Sequence, residues 1–430
     1  WAQIESITLI GPDSVIPFRR VVDGTLISNE TDFAAALYDP ANTAQSAIYG
    51  ALAAGYTLTD DFYAAYSSIF PSLNGPRAIP DWAVGRLVES TQQISDTIDQ
   101  YVANGGVLNT GPGVTALSTG YDFLTDGAER TTEVLTSAGV VTTDLISDLW
   151  DKDDLGDSLF PAAGAPDLIS LSAHFDDQVL VPAVSGVDAG PEISPDQAVF
   201  TISEDLTDLL NLNPDGLQNR VVFTVGCHAG LNNPVRTDWA EAFLSEGAVL
   251  IANLGYGYGL DGAVGLSEKL YNELLASNLD GSLTLGEALA YSKQLYNDQK
   301  LVYGAYDEKV LAQATLFGLP FYWLTGATPT GPPSPPDVTG DPDGVIPVAV
   351  SPNHEVQSVG VSEYYTDDGQ TIELHNRPIQ PGQVLSYTTT DGTRATGVLI
   401  TELTTRDIAL FDGAFARPIF DDTDFETELE

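Results

Sequence analysis

The chain has 430 residues, with 61 Asp+Glu against 16 Lys+Arg and a formal net charge of −45. That length points to two or three packed units, and a hydrophobic content of 43% excludes wholesale disorder. A field of that sign repels nucleic acid and anionic membrane surfaces and favours cationic partners, so nucleic-acid binding is set aside.

The charged fraction is only 18%, below the roughly 25% of ordinary soluble domains, so the acidity reflects missing bases more than surplus acids. Lysine is the scarce type, at Lys152, Lys269, Lys293, Lys300 and Lys309. No apolar run approaches the roughly 20 residues of a membrane span. The sequence opens on Trp1 and contains no Met, so it is expected to be a mature or excised piece of a longer product. A single cysteine, Cys227, excludes an intramolecular disulfide framework. So little oxidisable sulfur fits an extracellular setting.

Taken in chain order, an apolar run at 7–10 opens an alternating α/β pattern. Helical spacing follows at 92–102. Continuous apolar runs at 168–171, 221–225 and 248–252 then alternate with amphipathic stretches at 238–246, 266–275, 285–297 and 306–316. Short Val/Ile/Leu runs bounded by Gly and Pro suit strands buried on both faces, hence a doubly wound, mostly parallel sheet flanked by helices. We divide it into an N-terminal subdomain, 1–150, and a catalytic subdomain, 151–325. Six prolines in GATPTGPPSPPDVTGDPDG, 326–344, forbid a helix or a central strand. A semi-rigid linker over 326–345 is expected there. Beyond it, runs at 356–363, 371–374, 384–390 and 396–403 are separated by Asp-Gly or Pro-Gly turns. They predict a small β-sandwich-like, immunoglobulin-like domain over 346–430, ending in a frayed acidic tail at 421–430.

Two predicted strands end in reactive side chains. One runs into Ala173-His174-Phe175-Asp176-Asp177, the other into Gly226-Cys227-His228-Ala229-Gly230. Ligands of open parallel sheets bind beyond the carboxyl ends of the strands. If the two strands are neighbours, His174 and Cys227 emerge together, and an imidazole within reach can activate the thiol as a nucleophile. The flanking glycines permit a tight turn whose amides can donate to an oxyanion. Against this stands the bland reading of a buried small hydrophobe and a satisfied structural histidine. His228, adjacent to Cys227, is expected to face away, so His228→Ala should keep most activity. A zinc site from His174, Cys227 and His228 would require those opposed side chains to converge and lacks a fourth soft ligand.

The segments VVFTVGCHAGLNNP, DWAEAFLSEGAVLIANLGYGYG, LSEKLYNELL, LGEALAYSKQLY and GAYDEKVLAQATLFGLPFYWL resemble the gingipain-like cysteine peptidases, which share the caspase-like fold. Upstream, LIGPDSVIPF, TDDFYAAY, AVGRLVES and STGYDFLTDGAE are similar to the preceding subdomain of such enzymes, so the resemblance spans roughly 7–324. It implies a dyad of His174 as general base and acid and Cys227 as nucleophile, a preference for basic residues, and calcium as a structural companion. One departure is visible: the family's histidine is usually followed by glycine, whose amide helps the oxyanion hole, and here Phe175 follows His174.

Further residues carry two readings each. Asp176 and Asp177 could bind a cationic group or cap the next element. Asp122 and Asp126 could line a specificity pocket, though Asp-Gly is first a turn signal. Tyr256 and Tyr258 read as a mobile aromatic wall or as core. Glu268, Lys269, Glu308 and Lys309 read as solvated helix charges, and His354 and His375 as surface residues. The acidic run Asp151-Lys152-Asp153-Asp154 could hold calcium, although no spacing matches a calcium loop. The sequence therefore predicts a secreted or cell-surface cysteine endopeptidase that needs no cofactor for its chemistry. Cys227 and Phe175 supply the oxyanion amides. Asp126, Asp177, Tyr256 and Tyr258 bind the substrate, a cationic polypeptide cleaved after Arg in preference to Lys. The chain would attach to a surface or matrix through a larger precursor. The rival reading is a peptidase-fold module that serves adhesion or assembly without turnover.

Overall fold

A computed structural model describes residues 5–37, 46–66, 68–70, 77–88, 90–109, 113–184, 199–214, 216–232, 236–260, 262–279, 281–299 and 304–325, with the backbone of short strands between 349 and 418. Eight strands form the central sheet: β1 (Ser6–Ile10), β2 (Ala83–Leu87), β3 (Thr115–Gly120), β4 (Val141–Ile146), β5 (Leu168–Leu171), β6 (Val221–Phe223), β7 (Val249–Asn253) and β8 (Ala314–Phe317). Their order is β1-β2-β8-β7-β6-β5-β3-β4, and neighbours run parallel except β7 with β8. Two parallel blocks therefore meet at one antiparallel seam.

β5, β6 and β7 are buried along their whole lengths, which is why they read as unbroken apolar runs. β3 and β4 mix Thr and Ser with their apolar residues, and edge strand β4 leaves Val141 66% exposed. Neither offered a continuous run, and neither was anticipated. Both belong to the first 150 residues yet lie beside β5 in the same sheet. Residues before and after position 150 thus contribute strands to one sheet.

Seven helices matter for the site: α1 (Glu30–Leu37), α2 (Thr91–Asn104), α3 (Thr125–Ser137), α4 (Trp239–Ser245), α5 (Leu266–Asn278), α6 (Leu285–Asp298) and α7 (Ala305–Gln313). α2 starts at a Ser90/Gln93 capping box and stops at Gly105, whose φ of 65° a residue with a Cβ resists. The helix expected over 306–316 ends at Gln313, and 314–317 becomes β8. Its Ala-Thr-Leu-Phe sequence pairs with β7 in the register Leu250↔Phe317 to Asn253↔Ala314, so the sheet ladder outweighs continued helix. No helix among the described residues is long and apolar enough to cross a membrane.

The linker at 326–345, His354, His375 and the tail at 421–430 lie outside the described residues. Beyond the linker, Val384–Thr388, Arg394–Leu403 and Arg406–Phe411 form antiparallel ladders. Two further strands, Glu363–Thr366 and Ala416–Pro418, pair with Ala263–Val264 and Tyr258–Leu260 of the main unit. Limited proteolysis is expected to cut first within 326–344, where proline-spaced polar sequence offers an accessible backbone. The fragment ending near Leu324 should keep its far-UV circular dichroism. A first cut inside 7–324 would show that this unit is not one compact block, whereas unfolding once 345–430 is lost would show that the β region is integral to the core.

Candidate active site

Parallel pairing sets Leu168 against Val221 and Ser170 against Phe223, so β5 and β6 end level with one another. β5 leads to His174, which opens a short hairpin with Val179–Val181, and β6 leads to the Gly226-Cys227-His228 turn. Strand order reverses between β3 and β5, the crevice where open α/β sheets bind ligands. Two aromatic residues beyond β3 wall His174: Tyr121 edge-on at 5.5 Å and Phe123 at 5.9 Å between ring centres. Tyr121 also fixes the hairpin, its hydroxyl accepting from the His174 amide at 3.3 Å and donating to the Val181 carbonyl at 2.8 Å. Cys227 is fully buried, and its Sγ faces the Gly257 carbonyl at 3.8 Å.

The Phe175 departure is accommodated inward. Its ring packs edge-on against Trp239 at 5.3 Å between centres and lies over Gly226, where any Cβ would collide with it. The glycine before Cys227 is thus required by the phenylalanine after His174. The Asp176 amide donates to the Val179 carbonyl at 3.0 Å. That makes Phe175 the next, non-hydrogen-bonded position of the hairpin, with its amide turned away from the partner strand.

His228 does not sit in extended backbone. Its φ of 55° is left-handed, which for a bulky residue costs of order 1–3 kcal/mol unless its surroundings fix it. They do. Nε2 meets Glu30 Oε2 at 2.8 Å, the ring stacks on Phe33 at 3.4 Å, Tyr256 meets it edge-on at 4.6 Å, and the amide donates to the Gly255 carbonyl at 2.8 Å. Glu30 Oε1 accepts from Lys309 at 2.8 Å and from the Tyr256 amide at 3.1 Å, and Lys309 also reaches Asp23 at 2.7 Å. Burial alone would raise the Glu30 carboxyl, but Lys309 and His228 hold it down at about 2. Sequence reading missed Glu30, since an acid in the first turn of a helix reads as a dipole or capping residue, and Asp23, which lies in the loop after the strand Arg19–Val22. It also misjudged Lys309, Lys269 and Glu268, which are buried rather than solvated: Lys309 lies against Asp23 and Glu30, and Glu268 against Gly127 and Gly259.

Asp126, in the first turn of α3, is 7% exposed, and Glu268 of α5 is 2% exposed. The Glu268 carboxyl lies against Gly127, where a Cβ would overlap it, and beside Gly259, which also touches Phe123. Burial, then the Asp126 charge, pushes Glu268 well above the usual carboxylate range. Asp177 is also buried. Tyr256 and Tyr258 are core residues rather than a mobile wall: the Tyr258 hydroxyl, fully enclosed, donates to the Ser28 carbonyl at 2.9 Å, and Tyr256 is 6% exposed. Asp151 caps the helix Lys152–Leu159 through the amides of Asp153 and Asp154. Among the described residues no three His, Cys, Asp or Glu side chains are grouped as metal ligands.

No family model matches the chain, and no curated protein matches it. Among solved structures, one described as "Structure of Protease" aligns with 95% of this chain and 77% of its own length, at 12% identity and a TM-score of 0.44.

Asp176 gives the site a pH signature. Burial, then neighbouring Asp177, raises its carboxyl from 3.8 to about 6. A raised folded value favours the protonated form, so its contribution is full below about 3.8 and lost as pH climbs through about 6. Glu30, held near 2, acts oppositely, but only below its unfolded value of 4.5. Unfolding free energy should therefore fall between pH 4.5 and 7 by at most about 3 kcal/mol from Asp176. Asp176→Asn, which can still accept from the Gln178 and Val179 amides, should reduce that slope in urea titrations at each pH and leave the share of Asp61, which burial also raises to about 6.

Proposed function

We propose that the chain is a cysteine endopeptidase in which Cys227 attacks the scissile carbonyl and His174 serves as base and then acid. The observation that carries this is the level ending of β5 and β6, which delivers an imidazole and a thiol to the same edge of the sheet beside the reversal of strand order. The thiolate adds to the carbonyl carbon, and the resulting oxyanion takes the Cys227 and Phe175 amides as donors. His174 protonates the leaving amine, and the thioester is hydrolysed by a water that His174 deprotonates. The immunoglobulin-like region after the linker would be an accessory or anchoring module of a secreted or surface-attached enzyme, with any calcium structural.

The specificity pocket in this reading is built on Asp126, with Glu268 beside it. Burial and the Asp126 charge both push the Glu268 carboxyl well above the usual carboxylate range, which leaves Asp126 as the carboxylate offered to a guanidinium. A carboxylate takes Arg in a bidentate, charge-assisted contact that Lys cannot reproduce. In a fluorogenic peptide panel, turnover should follow Arg over Lys, with Asp, Asn and apolar residues far behind. Asp126→Asn should lower kcat/KM for Arg by about 10–100-fold, the value of a hydrogen bond to a charged group. Equal or faster cleavage after Asp or Leu would sink basic specificity.

One observation favours the second reading, a peptidase-fold module for adhesion or assembly: the Cys227 side chain is fully buried. Iodoacetamide decides between them. An activated thiolate alkylates quickly near neutral pH, and a structural thiol does not.

A further inference from the structure

We infer that Glu30 is a positioning residue of the catalytic centre, holding the nucleophile turn and the facing 255–257 segment at a fixed separation around Cys227. The inference rests on the peptidase reading for its consequence, but its geometry stands independently. One oxygen of the carboxylate meets His228 Nε2 at 2.8 Å, on the residue that follows the nucleophile. The other accepts from the Tyr256 amide at 3.1 Å, on the residue before the carbonyl that Sγ faces. Space for this carboxylate exists because position 255 is glycine: a Cβ there would overlap Glu30 Oε1. The His228 amide, bonded to the Gly255 carbonyl at 2.8 Å, ties the same two segments a second time.

Glu30 is itself fixed from three sides. Lys309 donates to it and is in turn held by Asp23 Oδ2 at 2.7 Å and the Ser28 carbonyl at 3.0 Å. Asp23 Oδ2 also accepts from the Glu30 amide at 2.9 Å. Phe33, one turn further along α1, lies flat on the imidazole. A left-handed histidine persists only where its surroundings over-determine it, and here they reach it from α1 and from Gly255 and Tyr256. Glu30 touches neither the thiol nor a substrate in this scheme. It acts through His228 and Tyr256, and a displacement of about 1 Å at a nucleophile can cost on the order of 100-fold in rate.

The test uses the full chain with Glu30→Gln, which keeps length and removes charge, and Glu30→Asp, which keeps charge and is one methylene too short to span both partners. Three readouts are taken on each: thermal unfolding, kcat and KM on an Arg peptide, and the rate of Cys227 alkylation by iodoacetamide from pH 5 to 9. We expect both variants to be folded at 25 °C, with KM within about twofold, kcat lowered at least about 30-fold, and the alkylation rate lowered about tenfold or more. If Glu30→Gln does not fold, Glu30→Asp carries the comparison. A folded variant with unchanged or faster alkylation and unchanged kcat would overturn the inference, as would losses that merely track the unfolded fraction. Alkylation needs no turnover, so the two failures are distinguishable. A wild-type thiol that alkylates slowly fails the peptidase reading, while the variant-to-wild-type ratio still decides the clamp.

Discussion

Cys227→Ala is expected to remove peptidase turnover altogether, and His174→Ala to lower kcat/KM by about 10²–10⁴-fold, the usual share of a general acid–base. Both should leave the unfolding temperature within a few degrees. Cys227→Ala removes a sulfur whose contact at 3.8 Å is weak, and His174→Ala keeps the backbone that Tyr121 engages. His228 separates chemistry from scaffolding. Its neighbour relation to Cys227 predicted a dispensable residue, but the structure pairs it with Glu30 and stacks it on Phe33. His228→Ala should therefore lose activity and stability together, whereas His174→Ala loses activity alone. Paired measurements of Tm and kcat/KM on the three variants make the check. If His228→Ala lost turnover at unchanged Tm, the general base would have to be reassigned.

The largest stability effect should follow Lys309→Met. The ammonium is buried and is shared by Asp23 and Glu30. Removing it leaves the buried carboxylates of Asp23 and Glu30 without the ammonium they share, and breaking a buried pair from one side costs about 3–5 kcal/mol. At about 2 °C per kcal/mol for a unit of this size, Tm should drop roughly 6–10 °C. Differential scanning calorimetry at pH 7 measures it. A drop under 2 °C would mean that water or a shift of Asp23 compensates, and the cluster would then be weaker than its distances imply.

What the sequence disclosed follows from which forces are local. β5 and β6 were legible because strands covered on both faces write unbroken apolar runs, and the reactive pair stood out because His174 and Cys227 follow those runs directly. Asp23, Glu30 and Lys309 were not legible, since their meaning lies in a contact 279 residues apart between α1 and α7. β3 and β4 were missed for a related reason: Thr-rich strands beside a sheet edge carry half the hydrophobic signal. Gly226 was recognisable as a turn residue, but its real constraint, the Phe175 ring above it, belongs to another strand. β8 was lost to its helix-forming Ala and Leu residues until pairing with β7 was known.

The placement of the lysines has a practical reach. Of five in the sequence, Lys269, Lys293 and Lys309 are buried, and Lys152 is partly exposed with its ammonium on Asp205. The folded surface is thus poor in primary amines as well as strongly anionic. Amine-directed coupling of the native protein would leave Lys269, Lys293 and Lys309 unmodified. A brief pulse of lysine-specific protease would cut after 269, 293 and 309, the buried lysines, only in molecules that have opened. Band intensity on a gel would then count unfolded molecules without a dye or a spectrometer.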